Sequence, residues 1–310
     1  MKRKTIQLGK ATLVMSLPAK WIKEQGISSG DELEVEESNS KLIITTERHK
    51  IEPFKTTLEF YGERTKKLKS SLDERMIEAK YIKGYDEITV LCDTSKFYDM
   101  INIRVKNLIG MEIVSQTENM LLIKDLGIST EQPIDQIIRR CFLLIRMMIE
   151  DVLKTKGNTD ENSMRDRDLT INRFSYLILR KLNKELRHPS GSVNIEVIPS
   201  MYSEVLLLEL LADDVERLGK NLAGYKIKDE RLMKLVEDLK NMIEMLSEVY
   251  FKFDREKAKR IFDYKFEIRD SVNKTIEETK NMKIVNALYW IREVAETAPV
   301  LLESILTRVS

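Results

Sequence analysis

Apolar residues change their spacing along this chain, and the changes divide it. Thr5 to Leu8 and Thr12 to Leu17 are short β-prone runs. Pro18 then stands where a helix can begin, and AKWIKEQG places Trp21, Ile22 and Gln25 on adjacent turns before Gly26 stops it. Gly30-Asp31 makes a turn, ELEVE alternates with period two through Leu33 and Val35, and SNSK turns the chain into KLIITTE. The prediction for residues 1–47 is strand, short helix, hairpin. A segment this small cannot bury enough apolar surface to stand alone without a metal, disulfides or a partner, and a partner chain is the remedy that fits.

Residues 48–128 read as a small α+β domain. LDERMIEAKYIKG (Leu72 to Gly84) suits a helix ended by Gly84, and DEITVLC suits a strand. SKFYDMINIRVKNLIG is a helix capped by Ser95 and ended by Gly110, and MEIVSQ and NMLLIKD form a hairpin turning near Glu118-Asn119. Lys66, Lys67 and Lys69 are a possible phosphate-binding patch, but a solvated helix face is the preferred reading.

From Pro133 the pattern is helical throughout. Leu232, Leu235, Leu239, Met242, Leu246 and Val249 step by three and four, and so do Ile284, Leu288, Ile291, Ala295, Ala298, Leu302, Ile305 and Val309. Six helices are predicted, at about 133–156, 164–187, 200–224, 229–252, 256–280 and 283–309, with breaks at Gly157-Asn158, HPSGS and Gly224. They divide into two three-helix units, 129–226 and 227–310, and Pro299 is expected to kink the last helix. The expected fold class is multidomain and mainly α, with a β-rich N-terminal domain and a small α+β middle domain.

Composition narrows the function. The 310 residues include 33% charged side chains but few Gly (11) or Pro (6), the balance of long amphipathic helices with short connections. The formal net charge of +1 argues against a surface that coats nucleic acid throughout. The first 23 positions nonetheless hold six cations (Lys2, Arg3, Lys4, Lys10, Lys20 and Lys23) and no acid, enough for one local basic module. Cys92 and Cys141 stand alone, which excludes a disulfide framework and fits a reducing cytoplasm. No signal sequence opens the chain, and VLLLELLA is far shorter than a membrane span, so a soluble cytoplasmic protein is expected.

Catalytic signatures are missing. His49 and His188 fall in different predicted domains, outside any HExxH or Ser/His/Asp-like arrangement, and neither GxxxxGK[ST] nor a GxGxxG after a strand occurs. The protein is expected not to be an enzyme. Among the carboxylates, Asp168 with Asn172 and Glu209 with Asp213 stand four apart on one helix face, where they could share a hard cation. In so acidic a chain such pairs arise by chance, and a solvated or lysine-paired face is the preferred reading.

Gly9-Lys10, TLVMSLP, AKWIKEQG, GISSGDELEV and KLIITTE resemble, in that order, the swapped-hairpin DNA-binding domain of the AbrB, SpoVT and MazE type over the first 45 or so residues. The strand before Pro18 is longer here than in the commonest bacterial form. The resemblance implies a homodimer with interlocked hairpins that contacts duplex DNA through Lys2, Arg3, Lys4, Lys10 and Lys20.

The helical region is similar to PhoU-like phosphate-signalling proteins over about 180 residues. VERLGKNLAG (Val215 to Gly224) resembles that family's ERIGD-type stretch, and IREVAETAP (Ile291 to Pro299) its second copy. The family's aspartate falls on Lys220 in the first and its glutamate on Arg292 in the second, so Glu216 and Glu296 are the acids retained. A cation at a ligand position repels a metal, so no cofactor is required; a divalent metal or iron has only Asp168, Glu216 and Glu296 as candidate ligands. Together the two likenesses imply an archaeal-type phosphate uptake regulator that binds DNA. The alternative is a dimeric adaptor that docks on a phosphate-transporter ATPase or sensor protein without touching DNA.

Overall fold

The computed structural model describes residues 2–38, 41–46, 53–60, 72–127 and 132–309. The chain forms two units, Met1–Pro53 and Phe54–Ser310. Lys66, Lys67, Lys69 and His49 lie outside the described residues.

In the first unit, β1 (Thr5–Leu8) pairs antiparallel with β2 (Thr12–Met15), setting Ile6 opposite Val14 and Gln7 opposite Leu13. Gly9 takes φ 77° in the tight turn between them, a conformation that costs glycine nothing. Pro18 leads into α1 (Ala19–Gln25), and Gly26 ends it in the left-handed region, its N–H donating to the Lys23 carbonyl. β3 (Glu34–Ser38) and β4 (Lys41–Thr45) form a second antiparallel pair. Strand, helix and hairpin therefore fall where the pattern predicts them.

The second unit opens with a four-stranded sheet. β5 (Lys55–Glu59) and β6 (Glu87–Leu91) are parallel, joined across α2 (Leu72–Ile82). α3 (Thr94–Val105) follows, then the hairpin β7 (Met111–Thr117) and β8 (Met120–Asp125), giving the order β5-β6-β8-β7. Period-two alternation sends Leu58, Ile88, Val90, Leu121 and Ile123 to one face, where they form a core with Ile77, Tyr81 and Ile101 of the two helices.

Two expectations need correction here. β5 was not expected, because four of the five residues of KTTLE are polar and the segment becomes a strand only by pairing with β6, 32 positions away. Asp93 rather than Ser95 caps α3: its carboxylate accepts from the Ser95 N–H, and the helix ends at Val105, short of Gly110.

Six long helices complete the unit: α4 (Ile134–Lys154), α5 (Glu161–Arg187), α6 (Ile198–Leu222), α7 (Glu230–Phe251), α8 (Arg255–Glu278) and α9 (Met282–Val309). Asp160, Asp229 and Asp254 cap α5, α7 and α8 by accepting backbone N–H groups two residues on. α5 starts three residues earlier than its apolar stripe suggests, because Asp160 provides the cap.

All six helices bury one continuous apolar core, from Ile137 on α4 to Ile305 on α9. α6 and α9 run antiparallel: the Asn221 amide donates to the Lys283 carbonyl at one end, and the Ser200 and Thr307 hydroxyls meet at the other. α9 remains one helix through Pro299. Gly219 has no side chain where the Met164 thioether crosses α6, and an added Cβ would lie 2.9 Å from the Met164 methyl.

Candidate functional site

The basic residues of the first unit sit on its outside. Lys2, Arg3 and Lys4 precede β1, and Lys10 lies in the turn after it, so the strand separates the arm from Lys10 by about 15 Å. Lys20 stands on the first turn of α1 and pairs with Glu24 at 3.7 Å, both exposed, an interaction worth little in water. No described carboxylate lies within 4.0 Å of the charged groups of Lys2, Arg3, Lys4 or Lys10. One copy thus leaves its predicted contact residues apart. Residues 24–37 carry the opposite charge, with six acids (Glu24, Asp31, Glu32, Glu34, Glu36 and Glu37) and no base.

The described residues of the unit form no core of their own. Among the residues of 2–46 whose burial is described, none is buried. Ile6, Leu8, Leu13 and Leu42 are each more than 60% exposed, and Met15 and Val35 about half. The β1–β2 register puts Ile6, Leu8 and Val14 on one face and Leu13 and Met15 on the other, so apolar side chains face solvent on both sides of the hairpin. Each such side chain forgoes roughly 1.5–3 kcal/mol of burial.

A second group of polar side chains lies between α5 and α6. Asp168 is 9% exposed; its Oδ2 accepts from the Asn172 amide at 3.4 Å, and its Oδ1 has no partner. Burial, then the neighbouring Asp213 and Glu216 carboxylates, push Asp168 up to about 7, against the opposing pull of Lys220. Glu209 is raised to about 7 by burial and by Asp213 and Glu78. Glu216 is ion-paired with Lys220 one turn on, and Asp213 with Arg217 at 2.7 Å.

Asp168 and Glu216 are therefore brought together. Glu296 is not: it sits on α9 and pairs with Lys265 of α8 at 2.7 Å. Among the described residues no three His, Cys, Asp or Glu side chains converge so as to hold a metal. Lys220 occupies the Glu216 carboxylate.

Sequence reasoning missed Arg180, which is 2% exposed and joins α5 to the sheet domain. Its signal is a second stripe on α5: Leu177, Arg180 and Lys184 step by three and four beside the apolar stripe Ile171, Ile178 and Leu182.

Residues 6–52 match the family model described as antidote-toxin recognition MazE, bacterial antitoxin, which makes the N-terminal unit a MazE-type domain. Such domains form dimers and bind DNA or toxins. No curated protein and no solved structure matches the chain. Among the described residues no helix is long and apolar enough to cross a membrane.

Proposed function

We propose that two copies of this chain complete their MazE-type domains on one another, and that the dimer binds duplex DNA as a transcriptional regulator. The observation that carries the reading is the N-terminal unit without a single described buried residue. Apolar side chains on both faces of a two-stranded hairpin demand a wrapping partner, and a second copy supplies the same unsatisfied surface. Pairing also doubles the six cations of the first 23 positions on one body. The acidic stretch from Glu24 to Glu37 disfavours the β3–β4 side as a DNA face.

The helical body then meets partner proteins. Its assignment to phosphate signalling rests on the likeness of VERLGKNLAG and IREVAETAP to PhoU-like proteins and on nothing else. The regulator requires no cofactor and performs no catalysis. Metal analysis of the purified protein tests this, with Glu216→Ala expected to leave metal content unchanged.

DNA binding at two salt concentrations tests the main reading, with DNA from upstream of phosphate-transport genes compared with unrelated DNA. Six to ten phosphate contacts predict an affinity loss on the order of a thousandfold between 50 and 200 mM salt. Lys10→Gln and a Lys2, Arg3, Lys4 triple Gln variant are expected to weaken binding and flatten the slope. Absent or salt-insensitive binding favours the adaptor, in which the same domain dimerises only and the helices dock on a transporter ATPase or sensor.

A further inference from the structure

α4 and α7 run antiparallel and leave a half-open cavity of about 410 Å³ along their outer side. Their relative height is fixed by the Arg139 guanidinium of α4, which lies 3.6 Å from the centre of the Phe251 ring of α7, and Lys240 of α7 is near enough to help lower the Glu150 carboxyl toward the far end of α4. Equal rise along the two helices then sets Phe142 level with Glu248, Leu143 with Ser247 and Arg146 with Glu244.

The two walls are complementary in charge and shape. Ascending α4, Arg146 and Glu150 are positive and negative; the α7 positions level with them, Glu244 and Lys240, are negative and positive. Leu143 protrudes, 44% exposed, and Ser247 level with it leaves a notch above the Phe142 and Ile243 floor.

We infer that this groove is where the helical bodies of two copies dock on each other, about a two-fold axis parallel to the helices. That operation lays α4 of each copy over α7 of the other at the same height. Leu143 enters the notch over the partner's serine, Arg146 faces the partner's glutamate, and Lys240 faces the partner's counterpart of Glu150, each twice. A two-fold axis perpendicular to the helices instead stacks α4 on α4, arginine on arginine, and is disfavoured by like charge. The pairs to be exchanged, Arg146–Glu150 at 3.5 Å and Lys240–Glu244 at 3.6 Å, are long i,i+4 contacts at the half-buried surface, and Glu150 also pairs with Lys154 at 3.1 Å. The inference rests on the reading that the MazE-type domains pair. Two bodies held by one paired domain meet at high effective concentration, so the contact can be smaller than the roughly 1,000 Å² a free dimer needs.

Cross-linking of the full-length protein tests it. Ser247→Cys is treated with a bismaleimide spanning about 15 Å, because the two α7 helices stand diagonally across the axis when α4–α7 neighbours pack at roughly 10 Å; the native Cys92 and Cys141 are buried. A cross-linked dimer is expected, with its yield falling about tenfold on adding Arg146→Glu and recovering when Glu244→Arg is added as well. The inference is overturned if a protein of dimeric mass gives no cross-link, if Arg146→Glu leaves the yield unchanged, or if the charge swap does not restore it. A monomeric native mass overturns the N-terminal pairing instead. The groove is then judged by the same cross-link at raised protein concentration, where its absence overturns the inference.

Discussion

The guanidinium of Arg180 lies 2.7 Å from Asp125 Oδ2, joining the middle of α5 to the end of β8 inside the protein. The same guanidinium reaches Asp86 Oδ1 at 3.2 Å and donates to the Tyr81 and Tyr85 carbonyls at 2.9 and 2.8 Å. Further along α5, Lys184 pairs with Asp86 at 2.7 Å, and Arg187 donates to the Lys83 carbonyl and stacks on the Phe54 ring. One helix face thereby fastens the sheet domain to the bundle. Burial, the largest single effect, raises the Asp125 carboxyl, but the Arg180 hydrogen bond, the Gly127 N–H and the charges of Arg180 and Lys184 together outweigh it and hold the group below its ordinary range.

Arg180→Met is expected to cost about 3–5 kcal/mol in urea unfolding, because it leaves the 7%-exposed Asp125 carboxylate without its closest partner. Arg180→Met with Asp125→Leu is expected to cost less than the two single changes added together, since the pair is then removed whole. Strict additivity would show that the two side chains are not coupled.

Stability is expected to fall as pH rises from about 4 to 8. Asp168 and Glu209 titrate near 7 in the fold but near 4 when unfolded, so the unfolded chain releases these protons first. Their contribution is complete below the unfolded value and is lost as pH passes the folded one. Asp168→Asn is expected to remove part of this slope and to stabilise the protein at pH 8 by on the order of 1–3 kcal/mol. Urea midpoints at pH 5 and pH 8 for both proteins provide the measurement. Asp125 works in the opposite direction: its low folded value supports stability above about pH 4 and loses that support on further acidification.

Gly157→Ala is expected to destabilise by about 1–3 kcal/mol, read as a lowered melting temperature. The position takes φ 85°, and a Cβ there would stand 2.8 Å from Ile227 and 3.0 Å from the Tyr225 carbonyl oxygen. Gly127→Ala is the control for conformation alone, with φ 74° and open space around it.

Leu13→Glu is expected to convert a dimer into a monomer without melting the helices. Leu13 is 65% exposed in one copy, so a charge there costs nothing unless a second copy covers it. Native mass with far-ultraviolet circular dichroism distinguishes the outcomes, and an unchanged dimer would mean the hairpin is not the covered surface.

Local signals were legible along the chain. The six long helices fall within three residues of the ends predicted for them, because amphipathic spacing and breakers such as Gly157 and Gly224 act within a few positions. The short helix after Pro18, and the glycines at 9, 26 and 30 with positive φ, follow from the same short-range chemistry. So does the lack of a core among the unit's described residues, which was legible as a segment too small to bury its own apolar residues.

What tertiary structure decided is every relationship carried over long separations. Lys55–Glu59 is a strand because β6 lies beside it, and its own residues do not alternate strongly enough to say so. Arg180 reads as one cation among 52 in the sequence; its burial depends on Asp86 and Asp125 arriving from 94 and 55 positions away. Asp168 was singled out by its spacing from Asn172 and Glu216 by the resemblance of VERLGKNLAG, but only the packing of α5 on α6 brought them together, with Glu216 paired to Lys220, while Glu296 went to Lys265. With β5 as the exception, the chain's own pattern determines which segments are helix, strand or turn, since those energies are local. Which charges are buried, paired or left facing a partner is settled by contacts between distant segments, where desolvation outweighs any propensity a residue carries by itself.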